Sequence, residues 1–364
     1  MDFVSFVDEL IYAFSINREY LSSLIGLVGI DSLYLVYKYY DRFYSRFNRI
    51  NDTSIVKEAP KVYINNQKME LDRICDKKHC SKIIKFANTL TRVFPKDELN
   101  NYYNNVNTLK VHKNNKALDK LYNSFGLGGF YTPKYNSIYI IKEKDHIITH
   151  ELLHMSSSCK DKVNQFSGFH QVIKSKKVFG KYQIGFGINE GYTQLLNERY
   201  FDINHEGDLT GYYYLVFVVK QLEDIIGQKN MEGYYLNSNL LGLINSLKEY
   251  ASEEEIMKFI HEMDFLNNYC TYKIVPNRKE KLAKTVYSIN KFLNKIKTNK
   301  LQQLVDLGYI SYNDMEQELK AYNRLLQYKI IGNNNYYIIN NATESSVYNF
   351  LDKKRLLKKQ KTQA

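Results

Sequence analysis

The stretch D-H-I-I-T-H-E-L-L-H-M-S-S, residues 145–157, decides how the chain is to be read. It places His150 and His154 four residues apart with Glu151 between them. On a helix, positions i and i+4 lie one above the other on the same face, so two imidazoles can reach one ion. Ile147, Ile148, Leu152 and Leu153 supply an apolar side, which predicts an amphipathic helix over roughly Asp145–Ser157. Zinc takes nitrogen and oxygen ligands in a tetrahedral arrangement and keeps one position open at catalytic sites. Glu151 is then placed to take a proton from a water activated by the metal.

Immediately upstream, G-L-G-G-F-Y-T-P-K-Y-N-S-I-Y-I-I, residues 126–141, combines turn glycines with a β-branched and aromatic run. It predicts a turn at Gly126–Gly129 and a strand at Ser137–Ile141. If that strand lies at a sheet edge, it can pair with an extended peptide; an internal strand is the equal alternative. Downstream, residues 166–196 read as strand, basic turn, strand and helix, the helix starting near Asn189 with Asn189 as its N-cap.

Two histidines leave a zinc site one ligand short. An H-E-x-x-H-x-x-G-x-x-H continuation is excluded, because Ser157 and Lys160 stand where Gly and His would be needed. I-N-E-G-Y-T-Q-L-L, residues 188–196, offers Glu190 at the start of the later helix, 36 residues after His154. Glu198, Glu206 and His170 are rivals. Glu198 lies two turns farther along the same helix, about 12 Å away by helix rise, so it cannot share an ion with Glu190.

The pair HELLH and NEGYTQLL resembles the HExxH…NEG(F/Y)T pattern of gluzincin metallopeptidases, over roughly residues 126–230. The resemblance implies a zinc-dependent peptidase with one Zn2+ per chain, held by His150, His154 and Glu190, with Glu151 as general base. It implies a Tyr or His after the third ligand as oxyanion donor, and Tyr213 is taken from the run Tyr212–Tyr214 for that role. Thr193 or Gln194 is expected to orient a ligand histidine, and Gly191 to let its helix approach the HExxH helix. No exopeptidase GxMEN segment is visible, so an endopeptidase is favoured over an aminopeptidase, with a peptide or protein as substrate. The fold expected is α+β: mostly helical, with a small antiparallel sheet beside the HExxH helix.

Around this centre, residues 61–270 read as the catalytic domain. Residues 1–60 form an N-terminal helical region, and residues 271–364 a C-terminal helical region with a β-hairpin at 328–340 and a basic tail from Lys353 to Lys361. A helix is predicted over 72–94, with Ile74, Ile83, Ile84, Ala87, Leu90 and Val93 on its apolar side. A loop is predicted at Asn100–Asn107, and a helix from about Tyr212 to Ile226 ending at Gly227. The 364 residues are 44% hydrophobic, enough for a sizeable core. The net charge of +12 is not gathered into one stripe, so nucleic acid is not indicated as a partner. The apolar stretch Leu21–Tyr37 is interrupted by Asp31 and three serines, which favours a buried or interfacial helix over a membrane span. The four cysteines form no CxxC pair and read as free thiols, which fits a reducing compartment; pairing among the four is the alternative. No secretory signal is visible, which makes a cytoplasmic location the expectation. Two other function classes fit the sequence: a regulatory zinc protein devoted to one protein partner, and a basic nucleic-acid or membrane binder with a fortuitous HExxH. Oligomeric state is not encoded in any motif.

Overall fold

A computed structural model describes residues 52–62, 77–112, 128–142, 144–174, 181–201, 212–271 and 278–326. The N-terminal helical region up to residue 51, the hairpin at 328–340, the basic tail, Cys75 and Glu206 lie outside the described residues.

Two compact units make up the chain. One comprises the described residues up to Ser167 together with Gln171–Gln183; the other comprises Gly168–His170 and the described residues from Ile184 onward.

In the first unit, α1 (Lys77–Val93) buries Ile83, Phe86, Ala87 and Leu90 at three- and four-residue spacing. Ile84, expected on that side, lies a third of a turn round and is exposed. The loop expected at Asn100–Asn107 is instead α2 (Asn100–Val106). The asparagines point to a loop by propensity, but Leu99, Tyr102 and Val106 recur at helical spacing and are fully buried, and burial overrides a weak local preference. Strand β1 (Lys110–His112) follows, then β2 (Gly129–Thr132) and β3 (Ser137–Ile140). The β2–β3 hairpin is antiparallel and turns through Asn136 at φ 48°. β1 adds to the far side of β3 in parallel, with Val111 opposite Ile138. The order β1-β3-β2 puts β3 in the centre, so Ser137–Ile140 is an internal strand and the edge reading of it is set aside; among the described residues β2 is an outer strand.

The HExxH helix is α3 (Asp145–Ser156). It packs beside β2: a Cβ at Gly128 or Gly129 would stand 2.5 Å and 2.8 Å from the Ile147 side chain, so two glycines set this close approach. A second, four-stranded sheet follows in the order β4-β5-β6-β7: β4 (Ser158–Lys160), β5 (Gln165–Ser167), β6 (His170–Lys174) and β7 (Lys181–Ile184).

The second unit is helical: α4 (Phe186–Phe201), α5 (Tyr213–Ile226), α6 (Gln228–Leu236), α7 (Leu240–Leu247), α8 (Glu253–Thr271), α9 (Arg278–Asp306) and α10 (Tyr312–Leu325). α5 ends where the sequence predicts, at Gly227 with φ 99°. The molecule is thus mostly helical with small sheets, an α+β fold as the sequence implies. Cys80 and Cys159 are free thiols. Among the described residues, no helix is long and apolar enough to cross a membrane.

Candidate metal centre

From His150 to Ser156 every residue of α3 is buried, polar ones included. Four-residue spacing brings the Nε2 atoms of His150 and His154 to 3.1 Å, their rings crossing at 76°. Two nitrogen ligands about 2.0–2.1 Å from one tetrahedral ion stand about 3.3 Å apart, so this pair is close to the separation that one shared metal ion requires.

At the C-terminal end of α3 the carbonyls of Leu153, His154 and Met155 all find partners. The last carbonyls of a helix lack intrahelical partners, and here hydroxyls supply them. Ser156 and Ser157 donate to the Leu153 carbonyl at 2.8 Å and 3.1 Å. The His154 carbonyl accepts from Ser157 at 3.2 Å, Ser158 at 2.6 Å and Ser167 at 3.2 Å. The Asn105 amide donates to the carbonyls of Met155 and Ser158 at 2.9 Å and 2.6 Å. The serine run after HELLH and the asparagine-rich α2 therefore serve to end the ligand helix inside the protein.

α4 carries Glu190. It begins at Phe186, not at Asn189. Its cap comes from α8: the Asp264 carboxylate accepts the N–H groups of Gly185 and Gly187 at 2.9 Å and 2.8 Å. Burial pushes the Asp264 carboxyl up to about 7, with the backbone donors at Gly187, Gly185 and Phe186 pulling the other way. Asn189, the expected cap, lies in the first turn and accepts the Phe169 N–H at 3.1 Å. Gly191 does permit a close approach, but to α5: a Cβ there would lie 2.8 Å from the Leu215 carbonyl oxygen. The Thr193 hydroxyl donates to the Asn189 carbonyl at 2.8 Å and meets the Tyr235 hydroxyl at 2.7 Å. The Gln194 amide reaches Glu198 at 3.1 Å.

Among the described residues, one group of three His, Cys, Asp or Glu side chains converges as metal ligands do. It is His150, His154 and Glu190, all buried, with one ligand atom from each within 4.8 Å of the others. Two imidazoles and one carboxylate are donors that divalent metal ions take. The group can hold a metal ion, and the three residues are those the sequence singled out. Of the rivals, Glu198 and His170 are not in this group; His170 packs its ring against Phe186 at 4.9 Å. Tyr213 is the first residue of α5, and its side chain is outside the described set. Its neighbour Tyr214 is buried and donates to Asn290 at 2.6 Å.

Sequence reasoning missed Asp264, which stands 74 residues after Glu190 with no motif around it. It also missed Arg199, which ties α4 to α5 and α6 through Glu223 and Glu232. Comparison with family models, with curated proteins and with solved structures finds no match to this chain.

Proposed function

We propose that the chain is a zinc-dependent peptidase, more an endopeptidase than an aminopeptidase. The observation that carries this reading is the convergence of His150, His154 and Glu190 with Glu151 in the same helix turn. The residues fit the ion in kind and number, and the 3.1 Å between the histidine Nε2 atoms fits its size. A zinc ion held there supplies Lewis acidity to a scissile carbonyl and to a water beside it.

The rest falls to the chain. Glu151 is buried, and its Cγ would lie 3.5 Å from a Cβ at Gly129. With no side chain at Gly129, the β2 backbone runs directly beside the general base. An extended substrate pairing along β2 through main-chain hydrogen bonds would bring its own backbone to Glu151. The Glu151 carboxylate takes a proton from the attacking water and returns it to the leaving amine, with no net change in the enzyme. Tyr213 is assigned to the developing oxyanion on the gluzincin resemblance, and Tyr213→Phe tests it.

The first experiment is metal analysis of the full-length protein beside Glu190→Ala. About one zinc per chain, lost in the variant, is the expected result. A wild type that binds no zinc after incubation with it overturns the proposal.

A further inference from the structure

The chain turns between β5 and β6 at Gly168 and Phe169, and the residues at the two sides of this turn, Ser167 and Phe169, are tied to residues at or beside metal ligands. At one end the Ser167 hydroxyl donates to the main-chain carbonyl of His154. At the other the Phe169 N–H donates to the side-chain oxygen of Asn189, the residue before Glu190. Gly168 between them has φ +55°, a left-handed conformation that suits glycine. Any Cβ there would stand 2.2 Å from Asn189 Oδ1 and 2.5 Å from the Tyr235 ring. Asn189 is therefore seated over a site that only glycine fits.

The seat is reinforced behind Asn189. Its carbonyl accepts the Thr193 hydroxyl, which meets Tyr235, and the Tyr235 ring packs edge-on against Phe169 at 5.9 Å. Asn189, Phe169, Thr193 and Tyr235 form one closed, buried circuit around the first turns of α4.

We infer that Asn189 is a positioning residue for the metal ligand Glu190, and Ser167 for His154. Asn189 lies inside the first turn of α4, past the cap position, and its side chain accepts from a turn 20 residues earlier. That bond fixes the rotation of α4 at the residue next to the ligand. Groups that orient metal ligands change metal affinity about 10- to 100-fold when removed. The inference rests on the reading of His150, His154 and Glu190 as ligands.

The test uses the full-length chain with zinc and with cobalt(II) as the probe metals. Wild type, Asn189→Ala and Asn189→Asp are titrated against a competing chelator, and the cobalt d–d spectrum is recorded for each. Asn189→Ala is expected to weaken zinc binding at least about 10-fold and to shift the cobalt spectrum. Asn189→Asp keeps an acceptor for Phe169 N–H and is expected to restore both. Ser167→Ala, which removes one of three hydroxyls on a carbonyl, carries the test if Asn189→Ala does not fold; a few-fold weakening rescued by Ser167→Thr is expected. Wild-type affinity and spectrum in Asn189→Ala, or an Asn189→Asp no better than Ala, overturn the inference. A wild type that binds no metal removes the ligand reading itself, a different and recognisable failure.

Discussion

The Asp264 carboxylate accepts the N–H of Gly187 at 2.8 Å, one turn ahead of Glu190. A helix start normally finds its cap in the preceding residues; α4 draws its own from a helix far along the chain. The partner is also a half-buried carboxyl, and burial raises its pKa to about 7 despite its backbone donors. The sign follows from linkage. A carboxyl whose folded pKa lies above its unfolded value adds stability below the unfolded value, near 4, and loses it as pH rises through the folded value. Relative to Asp264→Asn, the wild type should gain stability as pH falls from about 7 toward 4. Urea unfolding of both proteins across that range checks it, and a pH-independent difference between them contradicts it.

Glu151→Gln removes the carboxylate proposed as the base and keeps the shape. The ligands stay, so zinc content should match the wild type while hydrolysis of an unstructured protein substrate falls at least about 100-fold, the usual worth of a positioned acid–base group. Retained turnover in a variant that still holds zinc would refute the base assignment.

How legible was the site from the sequence? His150, Glu151 and His154 were readable because their spacing is local: one helical turn fixes their face whatever the fold. Glu190 needed only the inference that a later helix returns. What surrounds them was not readable. Asp264 and Gly187 meet across a separation of 77 residues, and no periodicity marks an aspartate as another helix's cap. Asn189 was misassigned for the same reason: an asparagine near a helix start is a cap by local rule, and only the fold shows Phe169 bonded to its side chain. The α2 error is the reverse case. Leu99, Tyr102 and Val106 carried a helical stripe in plain view, outweighed in the reading by five surrounding asparagines. β3 was found, but its central place depended on β1, three residues too short to signal a strand.

Gly191→Ala should destabilise the protein through overpacking. The added methyl would stand 2.8 Å from the Leu215 carbonyl oxygen, which belongs to main chain and cannot swing aside. A shift of α4 against α5 typically costs about 1–3 kcal/mol. A lowered thermal midpoint is expected, and an unchanged one would show that the two helices are not held at this contact.

Arg199 makes the last case. Its guanidinium bonds both Glu223 and Glu232, and both glutamates are buried. Tyr192 donates to Glu223 at 2.8 Å and Tyr200 to Glu232 at 2.5 Å, so five side chains from α4, α5 and α6 share one partly buried network. Arg199→Met preserves the stem but leaves two carboxylates with no cation. Breaking a fully buried pair on one side costs about 3–5 kcal/mol, and with Arg199 partly exposed the loss should fall below that range. Glu223→Gln added to Arg199→Met removes one of those charges and should recover part of the loss. Denaturant unfolding of the single and double variants measures both steps. Additive losses, with no recovery in the double variant, would mean that the carboxylates reach water once Arg199 is gone and that the network does not hold α4 in place.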